Sequence, residues 1–186
     1  MNQDSKRLFW AAKPELPKTV LKARNDLKHS LQAERLKWVP PENLHFTLKF
    51  LGDTTEEKIQ PLLKTGNKIA EKFSSFDVRI KGFSAFYTRE KPKVVFLETG
   101  KSEKLHQLAK EIDAACSELG FAPESRPFKA HLTLARVKHI HNTAHFNSLL
   151  KQPAEANIPI TGFSLIKSRF SSQGAEYRVL SDFLLR

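Results

Sequence analysis

His45-Phe46-Thr47-Leu48 and His131-Leu132-Thr133-Leu134 write one phrase twice: a histidine and a threonine two apart inside an apolar run. Side chains alternate faces along a strand, so residues i and i+2 point the same way. On that parity His45 and Thr47 share one face, and Leu44, Phe46, Leu48 and Phe50 share the other. In the second copy His131 and Thr133 share a face, opposite Ala130, Leu132 and Leu134. Each strand would anchor in a core with one side and present an imidazole and a hydroxyl with the other. Two such strands facing each other supply two groups that exchange protons near neutral pH, together with two neutral hydrogen-bond donors. Phosphodiester chemistry needs that set: a nucleophile deprotonated, a leaving oxygen protonated, and developing charge on phosphorus stabilised as in an oxyanion hole. From the chain's own composition H-x-T-L is expected roughly 0.05 times, so two copies are not an accident of composition.

The elements that must hold these strands are legible in outline. Arg7 to Ala12 reads as a first strand, and Leu16, Val20, Ala23, Leu27 and Leu31 give helical spacing between Pro14 and about Gln32. Trp38-Val39-Pro40-Pro41 is a stiff approach to the first motif strand, and Gly52 to Glu57 is a loop with cap candidates ahead of acidic residues, opening a helix to about Phe73. Phe76 to Thr88 and Lys93 to Glu98 read as a strand pair. Ser102 to Leu119 is the clearest helix, with Leu105, Leu108, Ile112, Ala115 and Leu119 on one stripe and Gly120 as its stop. A short helix at Thr143 to Leu150 precedes strands near Ile158 to Arg169 and Tyr177 to Leu184. A second phrase is also repeated: Val78-Arg79-Ile80-Lys81-Gly82-Phe83-Ser84 and Ile158-Pro159-Ile160-Thr161-Gly162-Phe163-Ser164. Both halves thus run motif strand, helix, I-x-G-F-S strand, turn, strand. Such a repeat predicts two related lobes about a pseudo-twofold axis, which would bring His45 and His131 face to face.

The 186 residues suit a single domain, 1–186, built of two small lobes sharing a core. A formal net charge of +11, spread without long runs of like charge, attracts polyanions and favours nucleic acid or nucleotides as partners. Cys116 is the lone cysteine, which excludes an intrachain disulfide and fits a reducing, cytoplasmic setting; it falls in the apolar register of a helix and reads as a core residue. The apolar run Leu8 to Ala12 is too short for a signal peptide or a membrane span. His139, His141 and His145 have a spacing that could ligate zinc, but no cysteine or carboxylate lies close in sequence, so no metal is expected there. His29 and His106 fall within helical stretches and carry no assigned role.

The paired H-x-T-x motifs resemble those of the two-histidine (2H) phosphoesterase superfamily. The flanks Trp38 to Gly52 and Arg126 to Arg136 are similar to the motif regions of the RNA 2′,3′-cyclic phosphodiesterases, first described as 2′-5′ RNA ligases. Arg7-Leu8-Phe9 and Gly174-Ala175-Glu176-Tyr177 extend the likeness over nearly the whole chain. The resemblance implies an α+β fold of two pseudo-twofold-related lobes, each an antiparallel sheet packed with helices, with the cleft between them. It also implies metal-independent, cofactor-free hydrolysis of RNA 2′,3′-cyclic phosphate ends to 2′-phosphomonoesters, with 2′-5′ ligation as the reverse path. By resemblance His45 is the general acid, His131 the general base, Thr47 and Thr133 hydrogen-bond the non-bridging oxygens, and Arg136 contacts the phosphate. No membrane and no obligate protein partner is implied, and a monomer is expected. The alternatives are a phosphodiesterase for a small cyclic nucleotide or a 2′-5′ oligonucleotide, and a basic RNA-binding module without turnover. Strict alternation sets Arg136 opposite His131, so it reaches the phosphate only if the strand bends, bulges or ends there. The same parity sets Lys49 on the His45 face, either as cleft charge or as the exposed end of the strand.

Overall fold

A computed structural model describes residues 6–171 and 174–186. Among these, the elements in chain order are β1 Lys6–Ala12, α1 Lys18–Ser30, β2 Arg35–Trp38, β3 Phe46–Thr54, α2 Ile59–Ala70, β4 Phe76–Thr88, β5 Lys91–Thr99, α3 Glu103–Glu118, β6 His131–His139, α4 Thr143–Leu149, β7 Ala156–Ile160, β8 Gly162–Ser171 and β9 Gly174–Leu184. The strands form one sheet in the order β7-β4-β5-β6-β3-β1-β8-β9, with β2 on β6. Every pairing in it is antiparallel.

The two motif strands meet at the middle of this sheet. β3 and β6 pair through Phe46 opposite Leu132, then part: β3 runs on along β1, and β6 along β5 and β2. Phe46 and Leu132 hold the same position in the repeated phrase, so the pair marks the pseudo-twofold axis. The second phrase repeats the relation, Val78 of β4 lying opposite Ile158 of β7.

The repeated halves exchange strands between lobes. β3 belongs to the lobe of β1, β8 and β9, while the hairpin β4–β5 that follows it joins β6 in the other lobe. β5 lies between β4 and β6, and the sequence repeat makes β9 its counterpart. Instead β9 takes an outer position, and the N-terminal β1 fills the slot between β8 and β3. Sequence order alone does not carry this, because hydrogen-bond partners rather than order decide a strand's neighbours.

The expected elements are present with shifted bounds. The first helix begins at Lys18 rather than Pro14, since Pro17 holds an extended ψ of 148° and the residue before a proline avoids the helical region. β3 continues through Gly52 to Thr54, a single turn at Glu56–Lys58 follows, and α2 ends at Ala70. The last stretch breaks at Thr161 into β7 and β8, and β2 is an added short strand.

Helical stripes close one face of the sheet. Leu105, Leu108, Ile112 and Cys116 of α3 are buried, and the Ser102 side chain caps this helix by accepting from the Leu105 N–H. Each fully buried apolar side chain is worth about 1.5–3 kcal/mol. Burial pushes the Cys116 thiol up to about 11, the behaviour of a core residue. Along β1, Leu8, Trp10 and Ala12 enter this main core, while Phe9 and Ala11 point the other way and meet Ile166 and Tyr177. That second face carries the motif side chains. Among the described residues no helix is long and apolar enough to cross a membrane.

Candidate active site

The chain's repeated phrase sets its side chains with repeated irregularities. Ala11 pairs with Thr47 and Trp10 with Lys49, so Leu48 is an extra residue in β3. Phe96 pairs with Thr133 and Val95 with Ala135, so Leu134 is the extra residue in β6. Each motif strand therefore bulges at the residue after its threonine. A bulge turns two successive side chains to one side and resets the alternation beyond it. Leu48 with Lys49, and Leu134 with Ala135, are accordingly all buried.

This reset corrects two parity readings and resolves a third. Arg136 lands on the histidine face, exposed, and close enough to Tyr177 to act on it electrostatically. Phe50, its pseudo-symmetry mate, also turns to that face, where it is 64% exposed with its ring 6.0 Å from Phe9. Lys49 is neither cleft charge nor a strand end. It is 1% exposed on the core side, its Nζ 2.5 Å from Asp113 Oδ1 and donating to the Ala122 carbonyl at 2.8 Å.

His45 and His131 are held alike. Nδ1 of His45 donates to the Asn43 carbonyl at 2.7 Å, and Nδ1 of His131 donates to the Lys129 carbonyl at 2.7 Å. With Nδ1 protonated, the neutral ring keeps its other nitrogen, Nε2, as the lone-pair atom available for proton transfer. Each imidazole is also walled by aromatic rings. Phe9 and Tyr177 lie 5.1 and 5.4 Å from His45, and Phe86 and Phe96 lie 5.0 and 5.6 Å from His131. Burial lowers both histidine pKa values from the ordinary value near 6.5, against the carbonyl hydrogen bonds, which raise them. Lys13 and His131 lower His45 further, and Lys129 lowers His131.

Sequence reasoning names the histidines, threonines and Arg136, and the structure gathers them on one face about the axis. It does not pick out the four rings. Phe9 was reachable, since strand parity in β1 sets it opposite Leu8 and Trp10. The choice among the other phenylalanines depends on which strands pair, which the spacing does not reveal. The His139, His141 and His145 spacing forms no metal cluster: among the described residues no group of three or more His, Cys, Asp or Glu is placed to hold an ion. Glu34 instead accepts from the backbone N–H groups of His141 and Asn142 and from His141 Nδ1, which lowers its carboxyl pKa.

A two-lobed antiparallel sheet, pseudo-symmetric about two His-x-Thr strands, is the architecture of a two-histidine phosphoesterase. Comparison with known proteins narrows this. The family model described as LigT like phosphoesterase matches residues 11–96 and 97–177, and the chain belongs to that family. An RNA 2′,3′-cyclic phosphodiesterase of Thermus thermophilus is 32% identical over 188 residues, covering 97% of this chain and 90% of that one. One of Aquifex aeolicus is 32% identical over 154 residues, covering 80% and 81%. Among solved structures, TT0787 of Thermus thermophilus matches with a TM-score of 0.79 at 31% identity, over 97% of this chain and 98% of that one. Escherichia coli LigT complexed with 3′-AMP matches with a TM-score of 0.73 at 25% identity, over 97% and 98%.

Proposed function

We propose that this protein hydrolyses RNA 2′,3′-cyclic phosphate ends to 2′-phosphomonoesters, using His45 and His131 as a proton-transfer pair. The observation that carries the reading is the matched pair of Nδ1 hydrogen bonds, to the carbonyls of Asn43 and Lys129, which leaves Nε2 of both imidazoles for chemistry. His131 in its neutral form takes a proton from water as the water oxygen bonds to phosphorus. The bond from phosphorus to the 3′ oxygen breaks, and His45, protonated at Nε2, gives its proton to that oxygen. The Thr47 and Thr133 hydroxyls donate to the non-bridging oxygens, and the Arg136 guanidinium offers them a bidentate contact. A positioned acid or base contributes roughly 10² to 10⁴-fold. The same path with a 5′-hydroxyl in place of water, its proton taken by His131 as the P–O3′ bond breaks, forms a 2′-5′ linkage; hydrolysis dominates because water is in excess.

The names of the relatives, the 3′-AMP held by the E. coli protein and the +11 charge support a nucleotide or RNA substrate. The reading includes no metal, no membrane and no protein partner, and a monomer acting in the cytoplasm. The test is incubation, with chelator present, with an oligoribonucleotide ending in a 2′,3′-cyclic phosphate, followed by identification of the product end. A 2′-phosphate formed by the unaltered protein and by neither His45→Ala nor His131→Ala is the expected result. RNA bound with salt sensitivity but never turned over would replace this reading with that of a binding module.

A further inference from the structure

The pseudo-twofold is broken in charge at the residue where each motif strand resets. The first lobe places Phe50 there and the second places Arg136. Beyond Arg136 the second lobe stays basic. β6 continues to Lys138, and the β4–β5 hairpin brings Lys91 and Lys93 alongside. Lys91, Lys93 and Lys138 line one concavity of about 200 Å³ together with Glu90, His139 and Thr143.

Three elements build the walls of this concavity, and each is fixed. Tyr87 at the hairpin donates its hydroxyl hydrogen to Asn147 Oδ1 of α4 at 2.7 Å. Glu34 grips the backbone N–H groups of His141 and Asn142 at the foot of α4. The hairpin tip is strained: Arg89 and Glu90 have φ of 47° and 63°, a left-handed conformation usually left to Asn and Gly in such two-residue turns. Strain of this kind persists where surrounding structure enforces it, and it gathers at ligand clamps. Here it delivers Lys91 and Lys93 to the end of the catalytic strand.

We infer that this concavity is a phosphate subsite for the RNA backbone, separated from the reacting phosphate by the length of β6 between Thr133 and Lys138. Five strand residues span about 16 Å, beyond the reach of a mononucleotide and within that of an oligonucleotide. The inference rests on the reading of the site as an RNA cyclic phosphodiesterase, and it adds that polymer length is recognised. The same backbone phosphate chemistry has two sources, the chain that bears the cyclic phosphate or a second strand that brings a 5′-hydroxyl.

Three substrates separate these sources: a 2′,3′-cyclic mononucleotide, an oligoribonucleotide with that end, and the same oligoribonucleotide supplied together with a separate 5′-hydroxyl strand. The variant is Lys93→Glu with Lys138→Glu, and Lys104→Glu with Lys110→Glu on α3 is the control for net charge. If the chain's own phosphate occupies the subsite, kcat/KM for oligomer hydrolysis falls at least tenfold relative to the mononucleotide. The slope of log kcat/KM against log salt then also drops by about 0.7 for each phosphate that is no longer neutralised. If the second strand occupies it, joining falls tenfold relative to oligomer hydrolysis. The α3 control moves neither ratio. Both ratios unmoved in the Lys93/Lys138 variant, or moved equally by the control, overturns the subsite. An unaltered protein that turns over none of the three substrates instead removes the phosphodiesterase reading itself.

Discussion

His45 and His131 make the same hydrogen bond at the same length, each Nδ1 donating at 2.7 Å to the carbonyl two residues earlier, Asn43 or Lys129. A backbone carbonyl fixes the ring without adding a charge, so either imidazole can gain or lose a proton at Nε2 while staying oriented. In the proposed mechanism the two groups act on one phosphorus and form a unit. His45→Ala and His131→Ala are each expected to lower kcat by about 10²- to 10⁴-fold. The double variant should fall little below the weaker single variant, because residues that act together are not additive. Steady-state rates of the three variants on a cyclic-phosphate oligoribonucleotide check this. Multiplied effects in the double variant would mean that the histidines work independently.

The lowered histidine pKa values have a consequence for pH. Burial pushes both below the ordinary 6.5, so in the free protein the one-proton state that acid–base catalysis needs is most populated on the acid side of that value. The kcat/KM optimum should lie below pH 6.5, with activity falling as rising pH removes the proton. An anionic substrate bound between the rings favours the protonated form, so the kcat optimum should lie to the alkaline side of the kcat/KM optimum. Initial rates between pH 4.5 and 8.5 test the order of the two optima.

The same shifts act on stability, with an unambiguous sign. Unfolded histidine takes a proton near 6.5 while the folded site resists it. Between the folded pKa and 6.5 the unfolded state binds more protons, so stability rises with pH through that window and is lost as pH falls through it. Urea midpoints at pH 5 and pH 7 should differ more in the unaltered protein than in the variant carrying His45→Gln and His131→Gln. Equal differences would mean that other groups cause the acid sensitivity.

How much of this is legible in the sequence comes down to which facts are local. The repeated H-x-T-L is local, and it names His45, Thr47, His131 and Thr133 directly. Helix stripes are local too, so Leu105 to Cys116 can be read from spacing. The bulges at Leu48 and Leu134 are not, since an extra residue is defined only against the partner strand; parity therefore misplaces Lys49 and Phe50 and leaves Arg136 unsettled. The exchange of β1 for β9 is likewise a matter of partners.

Arg136 owes its place to the bulge, which makes its geometry testable apart from its charge. Arg136→Lys keeps a point charge but loses the planar fork that meets two phosphate oxygens at once. Arg136→Ala should raise KM for a cyclic-phosphate substrate by roughly tenfold or more, the scale of a lost charge-assisted hydrogen bond. Arg136→Lys should recover only part of that loss. Full recovery by lysine would reduce the role of Arg136 to net charge.

Lys49 supplies the sharpest prediction about stability. Its ammonium is 1% exposed, held by Asp113 Oδ1 at 2.5 Å and by the Ala122 carbonyl, and Asp113 Oδ1 also accepts from the Glu124 N–H. The pair thus ties the first motif strand to α3 and to the loop that leads towards His131. Its two members are unequal, because the Asp113 side chain keeps 26% exposure and contact with water. Asp113→Ala strands a buried cation, which costs about 3–5 kcal/mol when a buried pair is broken this way. Lys49→Met removes the charge from the dry end, fills similar volume and leaves Asp113 hydrated, so its cost should be clearly smaller. The double variant, Lys49→Met with Asp113→Ala, should then be more stable than Asp113→Ala alone, since no unpaired charge is left inside. Urea unfolding of the three variants orders them. If Asp113→Ala proves no less stable than Lys49→Met, the ammonium has another partner and the tie between strand and loop is not made by this pair.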